Sequence, residues 1–269
     1  MTTSGFQEAL ARLLVEPELR ARWRSDPRLL SGELDLDADD RRMLSAIDPD
    51  RLDFTAGGIE RARARTLKRM FPATLRVAGG PEAADRLVIG YLRSVVPLVA
   101  RDEVTKWIDE GERFVGYLAE LAARGEVPTA VADLAWLEWL RAELRYSPEA
   151  ARGAAWVQAH HPGGTPPQAG TLLRLAPHVR VARFEADVLA LAGGRPPAAS
   201  GPTCLALAGR PDGAVRTFRL TVQAHDLYLA CDGSRTLSGL TATAGPEAAD
   251  LLAAGWVGGL LIDAAVLSR

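Results

Sequence analysis

The chain has 269 residues, of which 48% are hydrophobic and 25% are charged, and its formal net charge at pH 7 is -2. This composition is typical of a globular protein with one or two domains, and it provides no bulk electrostatic attraction to nucleic acid or to an anionic membrane. The first residues lack the regions of a secretory signal, and no stretch approaches the roughly 20 apolar residues of a membrane span, so we predict a soluble cytoplasmic protein.

The first 160 residues have helical periodicity almost throughout. Ser4 and Gln7 have the spacing of a capping box, and Pro17 suits the first turn of a second helix. The acidic run 35–40 predicts another helix start, because negative charge stabilises a helix N-terminus. Apolar residues at core spacing predict three further helices, over residues 81–95, 109–122 and 131–144.

A basic stripe marks the helix that we predict over residues 59–70. Basic side chains recur at i, i+4, i+7 and i+8, while apolar residues continue the opposite side. The basic residues are Arg61, Arg65, Lys68 and Arg69. This pattern has two interpretations, a solvated helix face or a contact surface for an acidic partner, and the residues alone leave both open.

The segment PGGTPPQAG at residues 162–170 contains three prolines and three glycines, so it predicts a linker or an exposed loop. Before it the periodicity is helical, whereas after it short β-like runs come first and helices follow. This change of period indicates two domains and an α+β fold, with an all-helical part preceding a smaller mixed part.

The C-terminal part contains three β-like runs, followed by three predicted helices. The runs are 188–191, 204–207 and 215–220. Pro211-Asp212-Gly213 predicts a hairpin turn between the second and third runs. The helices are predicted over residues 223–230, 236–241 and 247–256. Residues 172–175 and 179–181 are interpreted as short strands or extended connections. The resulting β-β-β-α-α-α order is that of a winged-helix-like domain.

Motifs that carry chemistry are missing from the sequence. No zinc spacing, nucleophile elbow, Walker loop or dinucleotide-binding loop is present, and Cys204 and Cys231 lie 27 residues apart, which predicts two reduced, buried thiols. We therefore predict no catalytic centre, metal or cofactor in this chain. A winged-helix DNA-binding regulator and an enzyme whose site is assembled from distant residues are the alternatives. Residues 171–269 contain nine arginines against eight acidic residues, which does not favour DNA binding.

Three segments carry a family resemblance: RARTLKRMFPATLRVAGGPEAADRLVIGYL, DEGERFVGYLAEL and PTAVADLAWLEWLRAEL. They resemble the bacterial partner proteins of multinuclear non-haem iron-dependent oxidative enzymes, which modify ribosomally made peptides, as in methanobactin biosynthesis. The resemblance covers about residues 58–145. It continues weakly through LALAGRPDGAVRTFRL, ACDGSRTLSGL and GWVGGLLIDA.

The resemblance implies a helical domain followed by a domain similar to the RiPP recognition element, with expected limits 58–161 and 171–269. The first fifty residues depart from the shorter members of the family, and residues 1–57 are interpreted as an added N-terminal helical extension. The resemblance also implies a heterodimer with a TIM-barrel-type enzyme. That enzyme would hold the iron, and the present chain would hold the leader of the precursor peptide.

The resemblance places the leader beside the third strand and against the third helix. The implied peptide-binding residues are Val215, Arg216, Thr217, Phe218, Arg219, Leu220, Leu251, Leu252 and Trp256. Main-chain pairing with an exposed strand edge would provide affinity. Trp256 is interpreted either as an apolar anchor or as a core residue. Arg216 and Arg219 are interpreted either as attracting acidic leader residues or as solvated side chains.

Overall fold

Helices dominate the chain, and two small antiparallel sheets interrupt them in its second half. The structure, a computed structural model, describes residues 5–26, 36–95, 103–161, 166–197, 201–245 and 247–266. These residues form thirteen α-helices and two three-stranded sheets, which confirms the predicted α+β class. Internal contacts divide the chain into two units, 1–100 and 101–269. The linker expected at 162–170 belongs to the second unit, and its residues 162–165 lie outside the described ranges. The three expected domain limits stay predictions.

The described residues of the first unit form six α-helices. They are α1 (Gly5–Val15), α2 (Pro17–Ser25), α3 (Ala38–Ser45), α4 (Pro49–Met70), α5 (Pro72–Val77) and α6 (Pro81–Ser94). A proline in the first turn begins four of them, where its missing N–H costs no hydrogen bond. Asp37 and Asp48 cap α3 and α4 by accepting backbone N–H groups. The helix expected over 59–70 is the second half of the longer α4.

The second unit begins with three helices, α7 (Glu103–Ala123), α8 (Thr129–Tyr146) and α9 (Pro148–His160). The remaining elements are β1 (Leu172–Leu175), β2 (Val179–Phe184), α10 (Val188–Ala192), β3 (Thr203–Gly209), β4 (Val215–Leu220), α11 (Val222–Leu229), β5 (Asp232–Thr236), α12 (Leu237–Ala244), α13 (Ala248–Val257), β6 (Leu261–Asp263) and a final 3-10 turn (Ala264–Val266).

The strand predicted over residues 188–191 is wrong, because this run forms α10. Asp187 caps the helix by accepting the Ala190 N–H, and Val188, Ala190 and Leu191 are buried. A short, uniformly apolar run has no periodicity that separates a buried strand from a buried helix. The strand at 215–220 is confirmed with its predicted ends. The strand at 204–207 and the three C-terminal helices are confirmed with slightly different ends. Val179–Phe184 is the strand that precedes β3.

One sheet has the order β2-β3-β4 and the other has the order β5-β1-β6, with all pairs antiparallel. All seven residues of the central strand β3 are buried. On one face, Ala206 and Ala208 join a core cluster that includes Leu227 and Leu252. On the other side α8 contacts the sheet, and the ring centroids of Trp136 and Phe184 lie 5.4 Å apart.

None of the helices in the described ranges combines enough length with enough apolar character to cross a bilayer. The cellular compartment stays a prediction.

Candidate functional site

The strand β4 forms an open edge of its sheet. It pairs with β3 along its whole length, in a register that places Cys204 opposite Leu220 and Gly209 opposite Val215. Among the residues that the structure describes, no strand pairs with its other side. An edge of this kind presents a row of backbone N–H and C=O groups to any extended chain that approaches it.

The hairpin that joins β3 to β4 determines which backbone groups face outward. The Arg210 N–H donates to the Ala214 carbonyl at 2.8 Å, and the Gly213 N–H donates back to the Arg210 carbonyl at 3.0 Å. Gly213 has a φ of 77°, a left-handed conformation that glycine adopts without strain. Arg210 and Ala214 are therefore a hydrogen-bonded pair, as in a three-residue hairpin with a bulge at the glycine.

Hydrogen-bonded and non-hydrogen-bonded pairs alternate along an antiparallel ladder. Counting from the Arg210–Ala214 pair, three residues of β4 direct their N–H and C=O groups inward to β3, namely Arg216, Phe218 and Leu220. The other three direct theirs to the open edge, namely Val215, Thr217 and Arg219. These outward groups are the main-chain component of the candidate site.

The side chains beside this edge differ between the two faces of the sheet. Phe218 and Leu220 are half-buried and pack against the core cluster. On the opposite face, Arg219 donates to Asp187 at 3.2 Å, so a carboxylate already balances its charge. Arg216 is exposed and has no charged partner among the described residues. Of the two arginines expected to attract acidic residues, Arg216 is the more available.

Two of the three expected α13 residues are buried. Leu252 is fully buried and Trp256 is 5% exposed, so both contribute to the core. The His161 ring lies 4.7 Å from the Trp256 ring, and His161 Nε2 donates to the Trp256 carbonyl at 2.7 Å. Leu251 is half-buried, and its carbonyl accepts the Tyr228 hydroxyl at 3.0 Å. Phe218 and Leu220 of β4 pack against the same core cluster that contains Leu252 and Trp256, and α11 contacts both β4 and α13.

An apolar cavity of about 200 Å³ adjoins Trp256, and the sequence analysis did not identify it. Trp156, His160 and His161 form one wall, and Pro166 and Pro167 form part of another. The two prolines also line a second cavity, of about 300 Å³, beside α12 and α13. In the sequence, the signal that could have indicated this cavity was a group of aromatic residues at the end of α9, directly before the proline-rich segment. That segment was interpreted only as a linker.

Two buried thiols and one buried histidine in the second unit are held in their neutral forms. Burial raises the pKa of the Cys231 thiol to about 12, and it also raises the pKa of Cys204, so both thiols are protonated at neutral pH. Both cysteines are buried and unpaired, as expected. Burial, with the nearby charge of Arg180, lowers the pKa of His178 to about 4. In the described ranges no three His, Cys, Asp or Glu residues are grouped to hold a metal ion.

The basic stripe lies on α4, in the first unit. All four of its side chains are exposed, and Lys68 contacts the Asp85 carboxylate at 2.6 Å. Sequence analysis did not identify Arg63 on the same helix, which is only 4% exposed. Arg63 donates to the Val95 carbonyl at 3.0 Å and lies over the Tyr91 ring. The stripe therefore belongs to the surface, whereas Arg63 belongs to the core.

Comparison with known proteins identified no relative: no protein-family model matches the chain, and no curated protein matches it.

Proposed function

We propose that this chain is a non-catalytic partner subunit. It binds the leader of a ribosomally made precursor peptide along β4 and presents the peptide to an iron-dependent oxidative enzyme in a heterodimer. The open edge of β4 is the observation that carries the proposal, because the outward groups of Val215, Thr217 and Arg219 are those that strand addition requires. The sequence resemblance over residues 58–145 supports the same proposal.

The element order also favours this proposal. The strands β2, β3 and β4 are followed by α11, α12 and α13, in the order of a winged-helix-like recognition element, with α10 and β5 as insertions. A leader strand on β4 would place alternate side chains next to Phe218 and Leu220, which already contact the core. The opposite alternate positions would lie near the Arg219–Asp187 pair. Arg216 would favour an acidic leader residue beside the N-terminal end of β4.

A winged-helix regulator of DNA is the rival that uses the same elements. In such a protein the helix inserted into the major groove carries Arg, Lys, Asn or Gln to the base edges. The exposed residues of α13 are Ala249, Asp250, Ala254 and Val257. This face has one acidic side chain and no basic side chain, so the charge distribution favours a peptide over DNA.

Amide hydrogen exchange of the full chain tests the peptide site. The ligand is a synthetic peptide with the leader sequence of a short precursor reading frame, to be sought among the genes that neighbour this one. We expect the leader to slow exchange at Thr217 and Arg219, because their N–H groups face the open edge. The amides of Arg216 and Phe218 are bonded to β3 in both states and should change much less. New protection confined to another element, or no protection by a leader that binds, would refute the assignment to β4.

A further inference from the structure

The outer face of α4 combines an exposed aromatic side chain with a row of arginines. Phe54 is 78% exposed, the largest exposure among the large hydrophobic residues described. Arg61 and Arg65 follow it at i+7 and i+11, and Arg69 comes one turn later. Residues at these spacings share one face of a helix, so the four side chains form a single stripe, here called the α4 stripe.

Of the acidic residues of α4, Asp53 and Glu60 lie on a different face, whereas Asp50 lies one turn before Phe54 on the same face; all three are paired with arginines of α2. Asp53 accepts from Arg20 at 2.8 Å and also contacts Arg24, while Glu60 contacts Arg20 at 3.4 Å. Asp50 contacts Arg24 at 2.6 Å. The negative charge of α4 is thus balanced by α2, within the first unit.

The arginines of the α4 stripe lack such compensation. Arg61, Arg65 and Arg69 are exposed, and none of them forms an ion pair with a described residue. Lys68, beside the stripe, differs because Asp85 balances its charge. The spacing of i, i+4 and i+8 covers about 12 Å of helix at about 1.5 Å per residue. The result is a line of three uncompensated cations.

A pair of glycines lies between Phe54 and these arginines, in the middle of a 22-residue helix. Each glycine destabilises a helix interior by about 1 kcal/mol relative to alanine. A Cβ atom at Gly58 would meet nothing within 4 Å, so no described neighbour would clash with a side chain at this position. At Gly57 a Cβ would lie 3.1 Å from the Arg61 guanidinium, which folds back over the bare backbone. The helix surface is therefore open to close approach at Gly58, whereas the Arg61 side chain covers Gly57.

We propose that the α4 stripe is the docking surface for an acidic helix of the partner enzyme. This inference rests on the proposed function, which supplies the enzyme. Carboxylates at i, i+4 and i+8 of that helix would match the spacing of the three arginines. An apolar recess would receive Phe54, and the glycine turn would let the two backbones approach closely.

The composition of the stripe favours a protein over other anionic partners. A membrane-surface helix needs several apolar side chains on one face, whereas Phe54 is the one large, exposed apolar residue of α4. A single-stranded nucleic acid is held by several aromatic stacking platforms, and the stripe offers one. One aromatic residue, next to backbone without side chains and followed by cations at helical spacing, fits the packing of a second helix.

The test uses the full chain co-expressed with an iron-dependent enzyme, to be sought among the genes that neighbour this one, and affinity is measured by titration of the purified subunits. The triple variant R61E/R65E/R69E is expected to weaken the complex about 10- to 100-fold, and Phe54→Ser about 10-fold. The control R41E/R86E/R93E has the same change of charge at exposed positions of α3 and α6, and it should alter affinity less than about threefold. Circular dichroism verifies that every variant is folded, and R61Q/R65Q/R69Q replaces the reversal if it is not.

The outcomes separate this inference from the proposed function. A complex that both variants leave intact, or that the control weakens equally, overturns the α4 stripe but not the peptide site. Absence of any complex overturns both. Equal loss of affinity for a mixed-sequence RNA, or for vesicles with anionic lipid, would make the stripe a nucleic-acid or membrane surface and would also overturn the inference. Steeper salt dependence for the wild type than for R61Q/R65Q/R69Q supports it.

Discussion

Proline substitutions at two neighbouring positions of β4 distinguish backbone groups that face β3 from backbone groups that face the open edge. In Arg216→Pro the lost N–H is one that bonds to Ala208 of β3, whereas in Thr217→Pro it is one that faces the open edge. Both positions follow a residue in extended conformation, which proline tolerates before it. The two variants are therefore matched in local strain and differ in the direction of the deleted group.

The expected magnitudes follow from the burial of the partner strand. Arg216→Pro removes one ladder hydrogen bond, worth about 1 kcal/mol, and leaves the carbonyl of Ala208 without a donor. Since Ala208 is only 7% exposed, that carbonyl adds a penalty of about 1–3 kcal/mol. The total loss in free energy of unfolding is about 2–4 kcal/mol. Thr217→Pro breaks no ladder bond, so its loss should remain below about 1 kcal/mol.

Urea unfolding of the full chain, followed by circular dichroism, measures both losses. Thr217→Ala separates the loss of the threonine side chain from the backbone effect. A Thr217→Pro variant as unstable as Arg216→Pro, or a stable Arg216→Pro, would refute the assigned pairing and with it the outward set. With the expected result, Thr217→Pro becomes a folded variant in which leader binding should fall about tenfold or more, because one main-chain donor is lost and the ring obstructs the edge.

Further predictions concern stability. The folded chain keeps His178 neutral down to about pH 4, whereas the unfolded chain protonates it from about pH 6.5, so the free energy of unfolding should fall by about 2 kcal/mol between pH 7 and pH 5. His178→Leu should lose this part of the pH slope in urea titrations, and an unchanged slope would contradict it. Gly255→Ala places a Cβ 2.7 Å from the Tyr228 hydroxyl and should destabilise by about 1–3 kcal/mol. Gly116→Ala meets nothing within 4 Å and should stabilise by up to about 1 kcal/mol in thermal melts.

Local sequence signals predicted the hairpin of β3 and β4 and the helices around it. Pro211-Asp212-Gly213 has the residues that its turn needs, and the alternation in 215–220 is that of a half-buried strand. The strands β5 and β6 were not predicted, because DGSRT has little apolar alternation and LID is too short to show any. Both pair with β1 across long sequence separations, and this pairing makes them strands.

The sequence alone determined the helical character of the first half and the helix starts at the acidic and proline-bearing turns. It also determined the hairpin that ends in β4, since all these features depend on interactions within a few residues. The tertiary structure decided that 188–191 is a helix, that Asp187 neutralises Arg219, that His161 covers Trp256, and that β4 has an open edge. Each of these depends on side chains or strands brought together from distant positions, and no local pattern records which segments will meet.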